Sequence, residues 1–389
     1  MVGRLDRWLD GAWNSGLCSC PSLEPDDLWA KALATAPAAG EGGGRSETDV
    51  ADFRRRLTLL CASLKEEAAL SNLGRTIAHG QLTRVIRQRL RLGALWLRRP
   101  QLAQTPLAPP IIVVGQMRGG TTRVHRLLAA DPAHAATRFC DSWHPLPPTR
   151  LDLRPLWTGL SLAVARRVDP WLDTIHPFGA TRPDEELGWL AAALDHCAYE
   201  AQWRIPAYTA WSEDADPAPV YAEFARLLAT DAATRANAAL PRVLKVPQFA
   251  EDLPALLREF PAARVVVARR AHEDVVASAV SLVANQMALQ SDKVDLAWIE
   301  AECRRKVLLR EARMEEALDT FAGPLAEVDF AALDDDWEGE MARAYRALGL
   351  PLTPAALAAM RREQGRAARQ PHTAHAASYR RFSRRSLRA

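Results

Sequence analysis

The chain has 389 residues, 48% of them apolar and 25% charged, with a formal net charge of +3. That composition is typical of a soluble globular protein with one large α/β domain or two ordinary ones, and the charge is too small to imply nucleic-acid binding. The six cysteines, Cys18, Cys20, Cys61, Cys140, Cys197 and Cys303, are scattered, and Cys18-x-Cys20 lacks the second pair that a zinc site needs, so reduced thiols and no metal are expected.

Met1–Asp10 has no apolar core of signal-peptide length, and the longest weakly polar run, Pro155–Ala165, is too short to span a bilayer. A cytoplasmic protein without a transmembrane segment is the expectation. Residues 1–105 read as a helical N-terminal extension. Its short patterns Leu5–Leu9 and Leu28–Leu33 are broken by Pro21, Pro25 and Pro37, and Gly40–Gly44 marks a flexible joint. Phe53, Leu57, Leu60 and Leu64 recur at helical spacing within 49–73, and a second helix is expected from Gly80 to Trp96. Pro106, Pro109 and Pro110 separate this lead-in from a central domain, 106–360.

That domain opens on the densest signal in the chain. Ile111, Ile112, Val113 and Val114 form the pattern of a strand buried on both faces. Gly115, Gly119 and Gly120 follow with Arg118 among them, and Val124, Leu127 and Leu128 share one face of the next helix. A strand, a glycine turn and a helix N-terminus present unpaired amides and a favourable dipole to an anion. The spacing Gly115-x-x-x-x-Gly120-Thr121-Thr122 fits the nucleoside-triphosphate P-loop except that Thr121 stands where the lysine belongs. No clear apolar strand ends in a Walker-B aspartate. The loop therefore reads as phosphate-binding with Arg118 as its cation. Arg123, in the first turn of the helix, joins Gly119, Gly120, Thr121 and Thr122 among the candidate ligands.

Gln116-Met117-Arg118-Gly119-Gly120-Thr121-Thr122 resembles the 5′-phosphosulfate loop of sulfotransferases that use 3′-phosphoadenosine 5′-phosphosulfate (PAPS), usually Pro-Lys/Arg-Ser-Gly-Thr-Thr. Gly119 replaces the serine and Met117 the proline. The resemblance implies an α/β fold, a P-loop-type parallel sheet flanked by helices, over about residues 105–360, with PAPS as co-substrate and no metal. It also points to a general base. Arg138–Pro145 reads as short and extended, and counting back from His144-Pro145 puts Asp141 where bacterial relatives carry a glutamate. Ile175–Leu187 resembles the His-Pro … Pro-Glu-Glu segment of the same group, which makes His176 the second candidate base. Glu185 and Glu186 are read as helix-opening residues that favour the dipole.

Farther along, Pro241–Pro247 reads as a strand. In cytosolic sulfotransferases the matching strand ends Lys-Thr-His; here Lys245 is retained, able to stabilise the bridging oxygen, and Pro247 replaces the catalytic histidine. Ala263–Leu282 is again strand, turn and helix. It resembles the family's 3′-phosphate site, with Arg270 and Ser278 at the family's eight-residue spacing. Trp298–Thr320 reads as a long helix, Leu325–Phe330 as a strand, and Trp337–Leu350 as a helix ending at Gly349. Trp157, Trp171, Trp189, Trp203 and Trp211 are expected in the core or in an acceptor-pocket wall. The tail 361–389 carries nine arginines against the single acid Glu363, and Gly365-Arg366 and Tyr379–Arg381 lie where relatives close a loop over the nucleotide.

Together these readings predict transfer of a sulfuryl group from PAPS to an acceptor hydroxyl or amine on a small molecule or lipid. Arg118, Lys245 and Asp141 or His176 would carry the chemistry. The alternatives are a P-loop kinase using ATP and Mg²⁺, or a non-catalytic PAPS- or anion-binding protein.

Overall fold

The computed structural model describes residues 2–170, 172–175 and 177–368. Five strands, β1 (Ile111–Gly115), β2 (Ala135–Ala136), β3 (Arg242–Lys245), β4 (Arg264–Arg269) and β5 (Leu325–Asp329), form one sheet in the order β2-β3-β1-β4-β5. Every pairing is parallel, with Ile112 opposite Leu244 on one side and Val265 on the other. The continuous apolar run of β1 follows from this position, because helices cover both faces. Ile112, Val114, Leu244, Val265 and Val267 pack with Trp189, Phe224, Phe249 and Met314. The alternate residues Ile111, Val113, Val243 and Val266 pack with Val124, Leu127, Met341 and Tyr345. Four of the strands coincide with strands read in the sequence, β1 and β4 as β-branched runs. The fifth, β2, is two alanines long, too short to leave a periodic signal.

The N-terminal helices are Val2–Asn14, Pro25–Leu33, Glu47–Glu66 and Asn72–Arg98. Ser46 caps the third, accepting from the Asp49 N–H at 3.1 Å, while Asp49 Oδ2 accepts in return from the Ser46 N–H. The fourth starts eight residues before the expected Gly80, because Ser71 caps it through the Gly74 N–H at 3.1 Å. Gly40–Gly44 is not a flexible joint. A Cβ on Gly40 would lie 1.7 Å from the Leu90 carbonyl oxygen and one on Gly43 2.2 Å from that of Gly93, so glycine here lets the chain press onto the Asn72–Arg98 helix. Phe53, Leu57, Leu82 and Ile86 share a core with Tyr199, Trp203 and Tyr208, and Trp96 reaches the sheet cluster. The extension is thus packed into the central fold.

Two further expectations change. Residues 139–143 are not extended but form a short helix, Phe139–Trp143. Gly365 and Arg366 lie inside the helix Pro354–Ala367, where Arg366 pairs with Glu363, so they form no closing loop; Tyr379–Arg381 lies outside the described residues. Among the described residues, no helix is long and apolar enough to cross a membrane.

Candidate functional site

β3, β1 and β4 end side by side, and the turns at their carboxyl ends build the site. The chain leaves β1 through Gly115–Gly120 and enters the helix Thr121–Ala130. Gly120 has φ +91°, and a Cβ there would lie 2.3 Å from the Phe330 ring, so only glycine fits. Arg118 itself adopts φ +70°, a costly conformation for a long side chain. Contacts from the next strand turn hold it there. Arg270 Nη1 donates to the Arg118 carbonyl oxygen at 2.9 Å, and Arg118 Nε donates to Ser278 Oγ at 2.9 Å. Three candidates drawn from distant parts of the sequence therefore form one cluster.

The Arg270 guanidinium also lies over the Phe330 ring, 4.7 Å from its centroid. Burial first, and the Arg270 charge next, lower the Arg118 pKa, while Glu185 acts in the opposite direction. Two guanidinium groups held this close disfavour each other, and a bound phosphate relieves both. On the other flank of β1, Lys245 Nζ donates to Thr122 Oγ1 at 3.1 Å and forms an ion pair with the Glu185 carboxylate. Lys245 is fully buried, whereas the Glu185 side chain is 19% exposed.

Glu185 arrives there by backbone pairing. The Phe139 N–H donates to the Arg182 carbonyl at 3.0 Å, Cys140 to Ala180 at 2.9 Å, and Asp184 to Thr137 at 3.0 Å. These bonds align 180–184 with the stretch that follows β2, next to the end of β3. The neighbouring acid goes the other way: Glu186 is buried, and its Oε2 accepts from the Lys245 backbone N–H at 2.8 Å. The helix itself begins at Leu187. The sequence reading of both glutamates as dipole partners missed this split. Its one visible sign was an acidic pair set just before an apolar helix.

Other candidates fall elsewhere. Arg123 turns from the loop to pair with Asp334 and donates to the Leu333 carbonyl at 2.8 Å, which removes it as a loop ligand in this geometry. Asp141 is fully buried among arginines: Arg138 reaches it at 2.7 Å, Arg154 at 3.2 Å and Arg235 at 3.3 Å. Such a carboxylate is committed to structural ion pairing and is not presented to an acceptor, a correction to its expected role as base. His176 lies outside the described residues. His125, in the loop helix, is fully buried, and burial followed by the Lys245 charge pushes its pKa down to about 3, so it stays neutral and walled off.

The ends of the strands also bear on nucleotide type. β3 and β4, which flank β1, end in Lys245 and Arg269. β5 ends in Asp329, whose carboxylate accepts from the Ala331 and Ala332 N–H groups at 2.9 Å and so caps the next helix. Cations therefore occupy the places where a Mg²⁺-dependent P-loop enzyme needs an acid.

Beside the loop lies a small, largely apolar pocket lined by Met117, Trp203, Ala279, Val283 and Trp298. Ala279 and Val283 belong to the same helix as Ser278, His272–Gln290. Its polar side mixes the acids Glu200 and Glu302 with Lys306 and Arg310. Lys306 Nζ lies 2.6 Å from Glu251, 2.8 Å from Glu213 and 3.0 Å from Glu200. Burial opposes charge on Glu251, yet Lys306 and Arg310 hold its pKa well below the usual carboxylate range. His196, Glu200 and Glu251 have a metal-like spacing, but the Lys306 ammonium already supplies the cation among them.

A model described as "Sulfotransferase family" matches residues 109–354. The chain belongs to that family. Among solved structures it is similar to sulfotransferase STF1 from Mycobacterium tuberculosis H37Rv, with 28% identity and a TM-score of 0.78 over 88% of this chain and 93% of that one. Sulfotransferase STF9 from Mycobacterium avium, 22% identical, shares the fold with a TM-score of 0.77 over 88% and 87% of the two chains. Among curated proteins, none matches. The parallel P-loop-type sheet expected from the sequence is thus the sulfotransferase fold.

One consequence for this sulfotransferase concerns pH. Burial raises the Glu186 pKa to about 7 from the ordinary carboxylate value of 4.5, against the pull of the Lys245 N–H. A carboxyl shifted upward contributes stability that is complete below the unfolded-state value and is lost as pH rises through the folded-state value. Thermal melts should therefore show stability declining between about pH 4.5 and pH 7. Glu186→Gln, which keeps an acceptor for the Lys245 N–H, should make that decline shallower and gain at most about 3 kcal/mol at pH 8, the remainder coming from Asp252, which burial also raises to about 7.

Proposed function

We propose that the protein transfers a sulfuryl group from PAPS to an acceptor hydroxyl or amine, and that Glu185 is its general base. In this reading the loop amides, Arg118, Thr121 and Thr122 bind the 5′-phosphosulfate, and Arg270 with Ser278 binds the 3′-phosphate. The observation that carries it is the hydrogen-bonded chain Arg270–Arg118–Ser278 beside the helix N-terminus. It joins two anion sites without an acid for Mg²⁺ at the end of either flanking strand.

Glu185 takes the proton of the acceptor while the acceptor oxygen or nitrogen attacks sulfur. The bond from sulfur to the bridging phosphate oxygen then breaks, and the electron pair stays on that oxygen. Lys245 and Arg118 stabilise the charge developing there. Glu185, Lys245 and Thr122 already form one contiguous set, so little rearrangement is needed before transfer. The apolar lining beside Met117 matches an apolar or amphiphilic acceptor in chemistry.

Calorimetric titration with adenosine 3′,5′-bisphosphate, in parallel with ADP and Mg²⁺, tests the donor assignment. Tight binding of the bisphosphate, weakened at least about tenfold by Arg270→Ala, is expected. Preference for Mg·ADP would replace it with the kinase reading, which nothing in the strand ends favours.

A further inference from the structure

The helix Arg154–Val168 turns its large apolar side chains outward. Leu153, Leu156, Trp157, Leu160 and Val164 are between 42% and 64% exposed, and Leu151 just before them is 73% exposed. Their spacing of three and four residues places them on a single face. The inward face is narrow, with Thr158 and Leu162 as its buried residues. Trp157, expected in the core or in an acceptor-pocket wall, is therefore not a core residue. An outward stripe of this size gives up the stabilisation that burial would bring. A contiguous patch of that kind marks a surface with a partner.

Polar contacts hold the helix in that pose. At its start, Asp152 pairs with Arg138 at 2.9 Å and with Arg154 at 2.8 Å. At its end, Asn285 Nδ2 donates to Asp169 Oδ2 at 3.0 Å. Asn285 lies on the helix that carries Ser278 and the pocket wall.

Charge identifies the partner. The helix carries Arg154, Arg166 and Arg167 and no acid. Arg166 is paired with Asp173 at 2.7 Å. Arg150 and Arg167 are exposed, and neither has an ion-pair partner among the described residues. A second copy meeting this face through a two-fold axis would bring the same surface against itself, with no exposed acid on the helix to receive those two charges. An anionic bilayer supplies both an apolar layer for the stripe and phosphates for the guanidinium groups. Tryptophan is suited to the boundary between them.

We propose that this helix docks the protein onto the surface of an anionic lipid bilayer. It lies in the plane of the interface, with Leu156, Trp157, Leu160 and Val164 in the acyl boundary and Arg150 and Arg167 among the headgroups. The protein rests on the membrane through this face. The proposal stands apart from the sulfuryl-transfer chemistry, because binding is read without turnover.

The test is co-sedimentation of the full chain with vesicles of phosphatidylcholine alone and of a roughly 2:1 mixture with phosphatidylglycerol. The expected result is binding to the mixed vesicles. It should weaken about tenfold or more in the triple variant Leu156→Ser, Trp157→Ser, Leu160→Ser, with its melting curve unchanged. The pair Arg150→Gln and Arg167→Gln should reduce binding to the mixed vesicles and blunt its salt dependence. Absence of binding to either vesicle, or equal binding by the triple variant and the parent, overturns the proposal. So does a dimer in sedimentation equilibrium that the triple variant converts to monomer, since a second copy would then cover the stripe.

Discussion

Glu185→Gln should lower kcat for sulfuryl transfer by about 10²–10⁴-fold, the usual contribution of a positioned general base. Affinity for adenosine 3′,5′-bisphosphate should change little, because the cluster Arg118–Ser278–Arg270, proposed to bind its phosphates, does not include Glu185. The substitution is nearly isosteric and keeps a carbonyl oxygen for Lys245 Nζ, which still has Thr122 Oγ1 at 3.1 Å. Loss of activity with an intact fold therefore reports on proton acceptance. Isothermal titration alongside steady-state kinetics separates the two effects. Unchanged kcat in the variant would remove Glu185 as the base and move the search to His176.

Asp141→Asn should act on stability instead. The Asp141 carboxylate is fully buried and is shared by Arg138, Arg154 and Arg235. Removing its charge leaves those guanidinium groups without their common counter-ion. The cost of breaking a buried pair in this way is about 3 kcal/mol, somewhat reduced here because the arginines are partly exposed. A drop of roughly 2–4 °C in Tm is expected, with kcat of the folded enzyme close to that of the parent below the transition. A large kcat loss without a change in Tm would reverse the assignments of Asp141 and Glu185. The two substitutions thus discriminate the sequence-based choice of base from the one that the geometry supports.

The distance from His144-Pro145 that marks Asp141 in the sequence is a purely linear measure. The environment of Asp141 is set by Arg235, 94 positions away, as well as by its neighbours Arg138 and Arg154. Glu185 and Glu186 are adjacent in sequence and look equivalent. Pairing of 180–184 with 137–140 sends one toward Lys245 Nζ and buries the other under the Lys245 backbone. A one-residue difference in direction along an extended segment reverses which face a side chain takes.

Much of this protein was nevertheless determined by the sequence alone. Ile111–Gly120 dictates a buried strand and a glycine turn through local sterics and hydrophobic pattern, both of which act over a few residues. The eight-residue spacing of Arg270 and Ser278 likewise survives folding, because it spans one strand turn and the start of one helix. Tertiary structure alone decided that Arg118 meets Ser278, that Arg123 leaves the loop for Asp334, and that Trp157 faces outward. Those outcomes depend on which elements the sheet order places side by side. Contacts across more than a hundred residues leave no periodicity within a single strand or helix.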